Sequence, residues 1–170
     1  MKKISRILLA GLLPALVCSC GYHLGGIKPA YMRNMDTFCV EMFENNTVQP
    51  NVGMLMTTAM ANELQSDGTY RMAPRSEADF ILKGTVTHIV RESLRTNTED
   101  TYVSSEIGLA VYVEYEVIDR KTGRVLKTDD TSATGSYFNQ GVNTVSAMDT
   151  ALSYATRLLA ERITLNLTSP

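Results

Sequence analysis

Between residues 105 and 119 apolar and polar positions alternate with few interruptions. Ile107, Leu109, Val111, Val113, Tyr115 and Val117 fall on one face, and Tyr112, Glu114 and Glu116 on the other. A period of two held over this length predicts a strand with one face buried and the other wet or covered by a partner. Residues 79–91 follow the same rule, placing Phe80, Leu82, Gly84, Val86, His88 and Val90 together. Residues 124–138, richer in Thr and Ser, predict a third such strand. Asp119-Arg120-Lys121-Thr122-Gly123 between the last two reads as a short hairpin connection ended by glycine. Upstream, Thr37–Phe43 is rich in β-formers until Asn45-Asn46-Thr47 and Pro50 break it. The period then changes. From Asn51 to Ser66, Val52, Leu55, Met56, Ala59, Met60 and Leu64 recur at helical spacing, and Asp67-Gly68 closes the segment. A longer helix is expected from about Asn143 to Leu167, with Met148, Ala151, Leu152, Ala155, Leu158, Leu159 and Ile163 as its stripe. Ser146 with Asp149 has the spacing of a capping box at its start.

The order β-α-β-β-β-α leaves each strand and helix with one apolar face to bury. The economical solution is an α+β, two-layer sandwich: two helices packed on one face of a mixed, mostly antiparallel four-stranded sheet. A single domain is expected over residues 37–168. Residues 21–35, with Gly21, Gly25, Gly26, Pro29 and Asn34, read as an irregular tether.

The first twenty residues follow a different logic. Met1-Lys2-Lys3-Ile4-Ser5-Arg6 concentrates three positive charges, and an apolar run from Ile7 to Val17 follows, interrupted by Gly11 and Pro14. The run has the length of a signal-peptide core and is too short for a stable membrane-spanning helix, which needs roughly 20 apolar residues. It ends in Val17-Cys18-Ser19-Cys20, which resembles the lipobox of bacterial lipoproteins. On that resemblance residues 1–19 are a cleaved signal peptide, Cys20 carries the acyl chains, and residues 20–36 form the lipidated N-terminus and tether. An ordinary secretory signal with a coincidental cysteine is the competing reading. Two or three acyl chains anchor durably where one is marginal. Gly21 in place of Asp after the lipidated cysteine favours the outer membrane as lipoprotein sorting is generally understood.

Removing the leader leaves 151 residues with 13 basic and 18 acidic side chains, a net charge of −5. Such a chain is not built for nonspecific nucleic-acid binding. With Cys18 removed and Cys20 acylated, Cys39 remains the one free thiol; inside an apolar strand it reads as a small buried hydrophobe. Met54, Met56 and Met60 read as core filler before an adaptable binding surface. His23 lies in the tether, and His88 on the apolar face of its strand reads as a core residue. No His, Cys and carboxylate spacing suits zinc, no G-x-S-x-G elbow precedes a helix, and no glycine-rich phosphate loop is present. Glu114 and Glu116 read as a solvated strand face, with no third group to make them a catalytic pair. Catalytic and metal residues are therefore none, the protein is expected not to be an enzyme, and no cofactor is expected beyond the lipid on Cys20.

Several stretches resemble the LptE family of lipopolysaccharide-assembly lipoproteins. Cys20-Gly21-Tyr22-His23-Leu24 is similar to the family's opening, Phe43-Glu44-Asn45-Asn46-Thr47 with Pro50 to its strand-to-helix junction, and Ala78–Gly84 to its second strand. Val117–Leu126 resembles its hairpin, and the motifs occur in family order over most of residues 20–165. The resemblance implies an LptE-like α+β domain in a non-enzymatic outer-membrane lipoprotein. It implies a periplasm-facing or barrel-enclosed position, a large LptD-like β-barrel as partner, and assistance in that barrel's assembly and in lipopolysaccharide delivery to the outer leaflet. It also implies lipopolysaccharide contact through basic residues near one end of the sheet, for which the candidates are Arg91, ending the second strand, and Arg95, in the loop after it. Guanidinium forks suit lipid A phosphates; the alternative is that both are solvated. Residues 139–143, entering the last helix, carry no Lys or Arg. A rival reading, an outer-membrane lipoprotein that activates a peptidoglycan synthase, needs a longer tether than about 15 residues, which span roughly 50 Å.

Overall fold

The computed structural model describes residues 26–95, 105–139 and 144–169. The leader, Cys20, His23 and the glycines before Gly26 lie outside them. A 3-10 turn, Ala30–Met32, precedes β1 (Thr37–Val40) and β2 (Glu44–Asn45). Helix α1 (Val52–Asp67), β3 (Arg71–Met72), β4 (Phe80–Arg95), β5 (Ser105–Asp119), β6 (Val125–Asn139) and helix α2 (Thr144–Leu167) follow. The two-layer α+β sandwich expected from the sequence is observed, but the sheet has six strands, not four. The additional pair, β2 and β3, are two residues each, too short to register as an alternation.

The sheet runs β3-β1-β4-β5-β6, with β2 pairing β4 beyond the end of β1. Strands β1 and β2 lie parallel to β4, and β4, β5 and β6 form an antiparallel meander. The 119–123 connection is the hairpin expected: the Asp119 carboxylate accepts the N–H groups of Lys121 (2.8 Å) and Thr122 (3.1 Å), and Gly123 takes φ +70°. Both helices pack on one face. Val111, Val113, Leu152 and Leu159 are all fully or almost fully buried in one core with Met56, Met60, Leu64, Phe38 and Phe80, while Leu158 is half-buried. Of the methionine cluster, Met56 and Met60 are core and Met54 is exposed. Two glycines allow this closeness. A Cβ on Gly135 would meet the Ala151 carbonyl oxygen at 2.1 Å, and one on Gly84 would meet the Phe43 ring at 2.1 Å.

Three local expectations are corrected. Ser146 does not start α2 as a cap but lies inside the helix, its carbonyl accepting the Thr150 hydroxyl at 2.9 Å. Cys39 is half-buried, not buried: Phe38 points to the helices, so its neighbour Cys39 falls on the opposite face, level with Ile81 and Ile118. The tether is shorter than its composition suggests, because residues from Gly26 onward are docked. The Gly26 N–H donates to Thr69 Oγ1, the Ile27 N–H to the Thr168 carbonyl (2.9 Å), and Met32 is fully buried.

Candidate functional site

Strand β4 positions the site. From Phe80 to Val86 its odd and even residues alternate as the sequence predicts, with Phe80, Leu82 and Val86 buried. At Thr87 the pairing slips: Val86 opposes Val113, but His88 opposes Tyr112. One residue is inserted, and a bulge of this kind reverses every side chain beyond it. His88 is therefore not a core residue. It is exposed on the far face of the sheet, stacked on Tyr112 with ring centroids 4.2 Å apart. Val90 goes outward with it, and Ile89 and Arg91 turn toward the helices.

That reversal places Arg91 opposite buried Leu109, where its Nη2 lies 2.8 Å from Met148 Sδ on α2. It stands at a cavity of about 580 Å³ between the loop after β2, the far half of β4 and the first turns of α2. The apolar wall is Ile89, Leu109, Met148 and Leu152; Thr47, Gln49 and Arg91 supply polar groups around it. An apolar floor with a guanidinium at the mouth is a chemistry suited to an amphiphile with an anionic head. Arg95 is the last residue of β4, opposite Glu106, so it belongs to the strand and not to the loop.

Cys20 lies outside the described residues. Glu114 and Glu116 are exposed on the sheet face away from the helices. Among the described residues no group of three His, Cys, Asp or Glu is placed to hold a metal, and no helix is long and apolar enough to cross a membrane. The cavity was not legible in the sequence. Its walls come from four segments remote in the chain (the loop after β2, β4, β5 and α2), and the bulge that turns Arg91 inward occurs in Val86-Thr87-His88, which carries no glycine or proline signal.

No family model matches the chain, and no curated protein matches it in sequence. Solved structures share the fold. A Caulobacter crescentus protein classed as a lipoprotein is 19% identical, with 75% of this chain and 88% of that one covered at a TM-score of 0.52. A Helicobacter pylori protein assigned as a homologue of neuraminyllactose-binding hemagglutinin is 10% identical, covering 84% and 89% at 0.53. XCC0632 from Xanthomonas campestris is 9% identical, covering 86% and 88% at 0.51. These likenesses define the fold: two helices on one face of a mixed sheet.

Proposed function

We propose that this protein is a non-enzymatic lipoprotein, anchored through Cys20 in the outer membrane, that associates with an LptD-like β-barrel and assists lipopolysaccharide delivery. The observation that carries the partner reading is the sheet face that no described element covers. Along β4 and β5 it presents Lys83 beside Glu116, Thr85 beside Glu114, His88 on Tyr112, and Val90 beside Ala110. Phe138, 52% exposed, and Leu94, 46% exposed, stand toward the same end. Bands of charge, aromatic and aliphatic groups on a rigid sheet suit a large partner more than bulk water. The lipoprotein description of the Caulobacter crescentus protein, on the same fold, supports the anchor. Arg91 at its cavity is the candidate contact for a lipid A phosphate, with Arg95 four residues further along.

The docked segment tells against the peptidoglycan-synthase alternative. With the domain beginning at Gly26, only five residues separate it from Cys20, too few to reach across a periplasm. The test is purification of tagged protein from detergent-solubilised membranes. A large β-barrel co-purifies in the expected result, and Arg91→Glu keeps the barrel but retains less lipopolysaccharide. Recovery of no barrel, with normal lipopolysaccharide export after depletion, would end this reading.

A further inference from the structure

The chain enters the domain at one end of the sheet. Gly26 and Ile27 are bonded to Thr69 and Thr168, the residues just beyond the C-termini of α1 and α2. Cys20 lies seven residues before Ile27, so the two α-carbons are at most about 25 Å apart however the intervening chain runs. Strand β4, by contrast, starts at this end and runs for 16 residues, about 50 Å, toward the Arg91 cavity. A leash half the length of the domain keeps this end within about 25 Å of the membrane, so the domain cannot stand upright on its opposite end.

The surface around the leash is apolar where it projects. Ile27 is 67% exposed and Leu165, in the last turn of α2, is 61% exposed. The Thr168 N–H bonds the Leu165 carbonyl while the Thr168 carbonyl takes the Ile27 N–H, which puts both aliphatic groups at one corner. Charges here carry both signs: Lys28 is paired with Asp36 at 2.5 Å, and exposed Arg33 and Arg71 share the end with Asp67. Aliphatic tips over a mixed-charge collar fit the headgroup layer of a phospholipid bilayer, where apolar side chains gain by burial and strong net charge is not needed.

We infer that this end of the domain, led by Ile27 and Leu165, sits against the anchoring leaflet, so that β4 stands away from the membrane and holds the Arg91 cavity at its far end. This rests on the lipid anchor at Cys20 proposed above. The test uses the full lipidated protein in phosphatidylcholine vesicles on a Cys39→Ala background. A fluorophore is placed at Ile27→Cys, Leu165→Cys or Val48→Cys, the last a fully exposed loop position beside the cavity. Flotation with the vesicles is measured first, and failure to float overturns the lipid anchor and this seating with it. For protein that floats, headgroup-spin-labelled lipid should quench the probes at 27 and 165 several-fold more than the probe at 48. Quenching at 165 no stronger than at 48 overturns the seating and leaves the anchor standing.

Discussion

Asp79 shows how much one carboxylate can organise. It sits where β4 begins and accepts the N–H groups of Asp36 (3.0 Å) and Thr37 (3.1 Å) and the Thr37 hydroxyl (2.9 Å), with Lys121 Nζ at 3.5 Å. The backbone N–H of Asp36, with help from Thr37 and Lys121 and against partial burial, holds its pKa below the ordinary carboxylate value of 3.8. A carboxylate with a depressed folded pKa stabilises the protein above its unfolded pKa, and that stability is lost as pH falls through the folded one. Asp79→Ala should therefore cost about 1–3 kcal/mol at neutral pH, the worth of hydrogen bonds to a charged group. The gap between variant and wild type should begin to narrow as pH falls below the ordinary value of 3.8 and close only below the lower folded one, where the carboxylate is protonated in both states. Denaturant midpoints measured from pH 7 to pH 3 decide it; a gap that stays constant would mean that lost packing, not charge, is responsible.

At the scale of elements, helix α1 and strand β4 are brought together through the junction after β1. Phe43 is buried over Gly84, and its backbone N–H donates to the Thr57 hydroxyl at 2.8 Å. Any side chain at position 84 must displace that ring. Gly84→Ala should destabilise by about 1–3 kcal/mol, the usual cost of overfilling a packed core. Phe43→Leu made alongside should recover part of it, so thermal melts of the two single variants and the double variant should be non-additive. Strict additivity would show that the two residues do not meet. The bulge at Thr87 is the other event at this scale. Before it the period-two reading of β4 holds residue by residue; after it, His88 and Val90 leave the core face and Ile89 and Arg91 enter it. The insertion of one residue is invisible to periodicity because Ile89 and Val90 are adjacent and both apolar, so the alternation reads through with either of them on the buried face.

For the whole molecule, two buried phenols mark where the layers meet. Tyr70 OH donates to the Leu167 carbonyl at 2.8 Å, tying the end of α1 to the end of α2, and Tyr115 OH lies 3.3 Å from Asp129 Oδ2 and 3.4 Å from Asn166 Nδ2. Burial above all raises both from the ordinary value of 10, Tyr115 to about 12 and Tyr70 further. A raised folded pKa gives stability that is fully present below the unfolded value and is lost as pH climbs toward the folded one. Unfolding free energy should thus be flat to about pH 10 and decline from there toward pH 12. In a Tyr70→Phe, Tyr115→Phe variant the decline should be shallower, although the protein is less stable at neutral pH because the Leu167 carbonyl loses its donor. Equal slopes for both proteins would assign the alkaline loss to other groups.

Sequence by itself determined the elements whose signal is local. The alternation from Ile107 through Val117 fixes which face of β5 is buried; helical spacing does the same for Met56, Met60 and Leu64 in α1 and for Leu152, Leu159 and Ile163 in α2. Asp119 and Gly123 determine the hairpin because both act within five residues. The α+β layering follows, since each element has one apolar face and those faces can be buried only against one another. Tertiary structure alone decided the rest. Strands β2 and β3 exist because longer neighbours offer an edge to pair with, the Gly26–Met35 segment docks because Thr69, Tyr70 and Thr168 from distant elements receive it, and Cys39 is set on the outer face by Phe38 turning inward. The cavity at Arg91 belongs with these. Its position depends on a slip in the ladder between β4 and β5, and a slip is a property of two strands meeting, which no single stretch of chain contains.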